Sequence, residues 1–204
     1  MPSTVSALFA SVAGFRGQGV VPWLDQIPSE SAGVYIVSLS QDPHQNLSAS
    51  ATAPIDEGAV DAWIRCVQRL TLDGARPSAK GLAGRLSEFW LPDESVLYIG
   101  KATTLHSRVN AFYRTPLGAR GPHAGGYWIK TLSVLSDAFV HFAELPDVWL
   151  AEQAEQTLLN AFVAAVSPAV RAKARDGARC FPFANLEHPP GTRKKHGILN
   201  AKLG

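Results

Sequence analysis

The chain has 204 residues, 46% of them hydrophobic, with a formal net charge of +2. That is enough for one well-buried core, and no apolar run approaches the length of a membrane span. Cys66 and Cys180 are far apart and outside any ligand motif, which argues against a disulfide framework or a zinc site and makes a reducing cytoplasm the expected compartment.

The first residues, MPSTVSALFASVAGF, carry no positive charge before Arg16, so a packing segment is expected there rather than a secretory signal. SAGVYIV, residues 31–37, places Tyr35 in an apolar run of strand type, and a first strand is predicted near Val34–Leu39. Gln41 to Pro54 is polar and rich in Ser, Ala and Pro, and reads as a flexible loop. Val60, Trp63, Ile64, Val67 and Leu70 then recur at helical spacing, as do Leu82, Leu86 and Phe89. The two predicted helices lack a basic recognition face, so they are expected to cover the sheet rather than read a nucleic acid.

In the stretch SVLYIGKATTLHSRVNAFYR, residues 95–114, Val96 to Ile99 favour a strand that Gly100 ends. A helix capped by Thr103 or Thr104 should follow, with Leu105, Val109 and Phe112 as its buried stripe and Arg108 at the stripe's edge. A Gly/Arg/Pro-rich loop covers Thr115 to Gly126, and Ala138 to Leu145 reads as a third strand. Between Val148 and Val166, Ala151, Leu158, Leu159, Phe162 and Val166 form an apolar helical face with Glu155 near its centre. An unpaired carboxylate there costs several kcal/mol, so Glu155 requires a cation, either Arg108 or a metal ion. Glu152, at the edge of the face, is the second candidate. Pro168 is expected to stop this helix.

Charge is distributed unevenly. Residues 1–94 carry 6 basic and 10 acidic side chains, whereas residues 95–136 carry Lys101, Arg108, Arg114, Arg120 and Lys130 and no acid. From position 169 onward eight basic residues, among them Arg193, Lys194 and Lys195, face only Asp176 and Glu187. Two basic blocks flanking an acidic position suit a polyanion lying across a metal site. Gly100-Lys101 is not a nucleotide-binding phosphate loop, because Ser95 stands where that motif needs glycine and Ala102 where it needs Ser or Thr.

Gly33-Val34-Tyr35, Tyr98-Ile99-Gly100, Lys101, Arg108 and the later Glu155-Gln-Thr-Leu-Leu occur in the order found in the GIY-YIG nuclease family, which the chain resembles from Gly33 to Asn185 around one long insertion. The resemblance implies an α/β (α+β) fold: a small, three-stranded, mainly antiparallel sheet flanked by helices. It divides the chain into one domain, 1–204, with an inserted loop and helical pair at 42–94 and a basic extension at 169–204. The implied activity is hydrolysis of DNA phosphodiester bonds with Mg²⁺ or Mn²⁺ held by Glu155.

The implied catalytic residues are Tyr35, Tyr98, Lys101, Arg108, Glu155 and a terminal asparagine, for which Asn185 is the candidate beside Asn160 and Asn200. Tyr35 is the expected general base. Lowering a phenol's pKa from about 10 to neutrality requires roughly 4 kcal/mol, part of it expected from Lys101 and Tyr98. Arg114, Arg120, His123, Lys130, Arg193, Lys194 and Lys195 are the expected DNA contacts. GPHAGGYWIKTL is similar to a His-x-Gly-Gly loop of restriction-type members, whereas YIGKATTLHSRV is closer to repair-type members. A site-specific endonuclease is therefore expected first, a structure-specific one second, and a noncatalytic nucleic-acid-binding module as the reading from another class. A homodimer is expected if both strands of a palindrome are cut.

Overall fold

A computed structural model describes residues 3–47, 51–123, 125–188 and 191–203. In chain order the elements are α1 (Val5–Ala10), β1 (Gln18–Pro22), β2 (Ala32–Ser38), α2 (Glu57–Cys66), β3 (Thr71–Leu72), α3 (Ala79–Ser87), β4 (Val96–Ala102), α4 (Leu105–Arg114), β5 (Phe139–Leu145), α5 (Val148–Ala165), α6 (Pro168–Lys173), β6 (Glu187–His188), β7 (Thr192–Arg193) and β8 (Ile198–Leu199). Of the loop expected at 41–54, positions 48–50 lie outside the described residues, as does Ala124 of the 115–126 loop.

The central sheet has four antiparallel strands in the order β1-β5-β2-β4, one more than expected. The additional strand is β1. Its sequence, QGVVP, is short, contains Gly and Pro and alternates between exposed and half-buried positions, so neither propensity nor hydrophobicity marks it strongly. Pairing with β5 makes it a strand, and its place at the sheet edge tolerates Pro22.

β2 and β5 lie inside the sheet. Successive side chains on a strand point to opposite faces. Tyr35 and Val37 of β2 join Tyr98, Val140 and Phe142 on one face, beneath α4 and the α2–α3 pair. Val34 and Ile36 join Val96, Ile99 and Ala143 on the other, against α5 and α1. The inserted helices thus contribute Val60, Trp63, Leu82 and Leu86 to the core on the tyrosine face. α5 lies against its face through the small residues Ala151 and Ala154 as well as Leu158 and Phe162, which brings its backbone and Glu155 close to β4.

Two helix ends depart from the sequence reading. Thr104 is the N-cap residue of α4, but its side chain makes no capping bond. Instead the N–H groups of Leu105 and His106 donate to the carbonyls of Ser31 (3.0 Å) and Ser29 (2.9 Å), so the entry to β2 satisfies the helix and fixes it beside that strand. Pro168 does not merely stop α5; it is at the start of α6, capped by the Ser167 hydroxyl, consistent with proline's preference for the first helical turn. Nor is the basic extension a free tail. Ile198 is buried, β8 pairs with β3, and the Ala201 carbonyl accepts from Trp63 Nε1 at 2.8 Å. No helix among the described residues is long and apolar enough to cross a membrane.

Glu94 has an effect on stability that depends on pH. It is buried and accepts from the Ser3 N–H at 3.0 Å, and burial raises its pKa from 4.5 to about 7. The folded state therefore binds this proton more tightly than the unfolded state does. Stability falls as pH rises from about 4.5 to about 7, by on the order of 3 kcal/mol at most. Thermal melts across that window are expected to show the decline in the wild type and a flatter profile in Glu94→Gln; equal slopes would refute it.

Candidate functional site

The tyrosines of β2 and β4 meet on one face of the sheet. Tyr35 is opposite Gly100 in the β2–β4 register, and Tyr98 is two residues before Gly100, on the same face. Their ring centroids are 5.8 Å apart, and Phe112 of α4 packs against both at 6.4 and 5.3 Å. Gly100 is required here because a Cβ would come within 2.8 Å of both rings and 2.9 Å of the Tyr35 hydroxyl. At Gly126, φ is +61°, and a Cβ would approach Tyr98 and Phe112 within 2.9 Å.

The site turns around the outer edge of β4. On an edge strand every second residue directs its N–H and C=O away from the sheet. Three such positions are used in succession. The Leu97 carbonyl accepts from the Ala184 N–H at 2.8 Å. Ile99 donates to Asn185 Oδ1 at 2.9 Å and accepts from its Nδ2 at 2.8 Å. Lys101 presents its backbone N–H to the Glu155 carboxylate, favouring the charged form. Asn185 thus continues the strand pairing with its side chain, and its amide is committed to the backbone of Ile99.

Glu155 is half-buried, and burial raises its pKa, opposed by the Lys101 ammonium and backbone and by Arg108. It makes no salt bridge among the described residues; Glu152 is the carboxylate that pairs with Lys101 Nζ. Lys101 lies one residue beyond Gly100 and so projects to the face opposite the tyrosines. Its expected part in stabilising a phenolate is corrected accordingly. Arg108 is the cation whose charge opposes the rise in pKa of both phenols.

Burial is the largest effect on each phenol. It pushes Tyr98 up to about 12 and Tyr35 well above the ordinary value, so both are protonated in the resting protein. Tyr35 is fully enclosed and its hydroxyl interacts with that of Tyr98, whereas Tyr98 lines a cleft of about 1020 Å³. Lys101, Glu155 and Asn185 stand with Tyr98 along the cleft, which Arg120 and Lys202 also line. The half-buried Arg108 guanidinium makes no hydrogen bond or salt bridge among the described residues, yet its field reaches Tyr35, Tyr98, His123 and Glu155.

Among the described residues no group of three His, Cys, Asp or Glu side chains stands together. A site with so few ligands could hold only a cation that takes most of its oxygens from water and substrate. Among the carboxylates near the cleft, Glu155 is partly withdrawn from water and makes no salt bridge among the described residues, so it is the one that could hold such a cation.

The expected DNA contacts divide. Arg114, Arg120, Arg193 and Lys195 are exposed, with Arg120 Nε donating to the Leu203 carbonyl and Arg193 paired with Glu187 at 2.9 Å. Three others are corrected by burial or by their partners. The Lys130 ammonium donates to the carbonyls of Phe112 (2.8 Å), Tyr113 (3.2 Å) and Thr115, closing the C-terminal end of α4. His123 is 1% exposed. Lys194 is 4% exposed, donates to the carbonyls of Pro182 (2.9 Å) and Phe183 (3.0 Å), and lies over the rings of Phe89 and Trp128. Lys194→Ala would leave two carbonyls and a cavity behind, so a loss on the order of 3 kcal/mol is expected in denaturant unfolding. An unchanged midpoint would contradict the anchoring role.

Lys202, which joins the cleft and stands 5.0 Å from the Tyr127 ring centroid, was not singled out by the sequence reading. No local motif marks it, since the pairing of β8 with β3 carries it there. Comparison with models of protein families, with curated proteins and with solved structures finds no match to the chain.

Proposed function

We infer that the chain is a metal-dependent DNA endonuclease of the GIY-YIG type. The observation that carries this reading is Arg108, a guanidinium without a hydrogen-bond or salt-bridge partner among the described residues, whose field is shared by two phenols and a half-buried carboxylate beside an open cleft. An array of this kind accommodates a phosphodiester anion.

Glu155 would hold Mg²⁺ or Mn²⁺, which when bound neutralises phosphate charge and that of the departing 3′ oxygen. Arg108 donates to the non-bridging phosphate oxygens, on which charge accumulates as water attacks phosphorus and the bond to the 3′ oxygen breaks. Asn185 and the backbone of β4 keep Lys101 and Glu155 in register. Tyr98, rather than Tyr35, is the phenol that meets the attacking water, because Tyr98 lines the cleft and Tyr35 is sealed behind it. With Tyr98 at about 12, forming its phenolate at neutral pH demands about 7 kcal/mol of added stabilisation, more than an unperturbed phenol would need. Its resting role is to orient the water by hydrogen bonding, and loss of its proton is confined to the complex with substrate.

The test is nicking of supercoiled plasmid with magnesium and with EDTA. Discrete fragments would support a site-specific enzyme, and cutting limited to branched or damaged DNA a structure-specific one. Binding of DNA without cleavage, at millimolar magnesium or manganese, would replace the enzyme by a noncatalytic module.

A further inference from the structure

The cleft that holds Tyr98 and Glu155 is also lined by Arg193, His196 and Lys202 of the C-terminal segment. His196 is held there from several sides. Its ring stands edge-on to the fully buried Trp128, with centroids 5.3 Å apart at 69°, and its carbonyl accepts from Arg85 Nη1 at 2.9 Å. The next residue, Gly197, has φ +71° and a Cβ there would run into the Asp73 carboxylate, so backbone and neighbour alike favour glycine in the turn that presents the ring.

The hydrogen bonding of the ring fixes its tautomer. Nδ1 is 2.9 Å from the backbone nitrogen of Ile198, and because a backbone N–H can only donate, Nδ1 carries a lone pair. In the neutral ring the proton is then on Nε2, which takes part in no hydrogen bond among the described residues. The ring is half-buried and borders the cleft, so this donor is left for what the cleft binds.

The surrounding charges select an anionic acceptor. Burial and the positive charges of Lys194, Arg85 and Arg193 lower the His196 pKa below its ordinary 6.5, which keeps the ring neutral at physiological pH. The same positive field attracts an anionic oxygen, and a hydrogen bond to an anion is roughly twice as strong as one to a neutral acceptor. Glu187, which also lines the cleft, is offset by Arg193 at 2.9 Å. We propose that His196 forms a second phosphate subsite of the cleft, its Nε2–H donating to a non-bridging oxygen of the DNA strand whose scissile phosphate lies at Glu155. The proposal rests on the nuclease reading for the identity of the anion.

Two substitutions separate the structural bond of the ring from its free donor. In His196→Asn the side-chain carbonyl can still accept from the N–H two residues on, as in an Asx turn, but nothing reaches the position of Nε2. In His196→Gln an amide donor reaches it again.

The experiment is binding of a short labelled DNA duplex to the full chain in EDTA, above neutral pH and over a range of salt. His196→Asn should keep the wild-type melting temperature and raise Kd about tenfold, the loss of one hydrogen bond to a charged group, and His196→Gln should recover part of it. The slope of log Kd against log salt should be unchanged in both, because a neutral donor displaces no counterion, whereas Arg120→Ala should flatten it. Wild-type affinity in His196→Asn overturns the proposal. So does an altered slope, which would mean that the basic segment had shifted. Should neither variant fold, the imidazole ¹⁵N spectrum of the wild type decides: the Nε2 signal of His196 is expected to move when duplex is added, and an unmoved signal overturns the subsite. Wild-type protein that binds the duplex but cuts no plasmid in magnesium removes the nuclease reading alone, and the binding comparison still decides the subsite; wild-type protein that binds no DNA overturns both.

Discussion

Arg108→Ala is expected to retain the wild-type melting temperature and to lose about 10²-fold or more in the rate of DNA cleavage. Both parts follow from its surroundings. Arg108 lies outside the buried stripe of α4, formed by Leu105, Val109 and Phe112, and its side chain makes no hydrogen bond or salt bridge among the described residues. Replacing a half-buried side chain that has no such partner to lose should cost on the order of 0.5 kcal/mol. Its charge is nevertheless the one that opposes the rise in pKa of both buried phenols, so its removal should push Tyr35 and Tyr98 higher still. Arg108→Lys restores the charge without the planar fork and should recover only part of the rate. The check is single-turnover cleavage beside a thermal melt. Wild-type cleavage by folded Arg108→Ala would remove the guanidinium from the mechanism.

Glu155→Gln should abolish cleavage and, in the absence of metal, leave the protein at least as stable as the wild type near neutral pH. The folded state raises the Glu155 pKa above 4.5, mainly by burial. Its contribution is therefore most favourable below that value and declines as pH rises through the folded pKa. An amide of the same shape removes this decline. A divalent cation that binds only the folded protein stabilises it by mass action, about 2.7 kcal/mol at a hundred times Kd. Magnesium or manganese should accordingly raise the wild-type melting temperature and leave that of Glu155→Gln where it was. Equal shifts in the two proteins would place the cation elsewhere.

Much of the site could be read in advance because its parts sit in strongly patterned elements. Tyr35 and Tyr98 lie in apolar strands, Arg108 beside a helical stripe, and Glu155 on a face where hydrophobic spacing gives no reason for a carboxylate. Each is marked within a window of ten residues or so, the range over which periodicity is informative. β1 was not legible, since five residues containing Gly and Pro become a strand only when β5 supplies the partner.

Local order therefore determined the residue types and the elements that carry them: a tyrosine on each of two strands, a cation on the helix after the second, and an acid on a long apolar helix. Tertiary structure decided which cation serves which acid. Lys101 was expected beside the phenols but faces Glu152, because adjacent strand residues point to opposite sides. Lys194 and Lys130 read as basic surface yet spend their charge on backbone carbonyls inside the fold, and His123 is enclosed against Phe112. A sequence displays charge one residue at a time. Whether that charge meets solvent, a carbonyl or another side chain is set by chain segments brought together from far apart, as the Asn185 amide is brought to the edge of β4 across 86 positions.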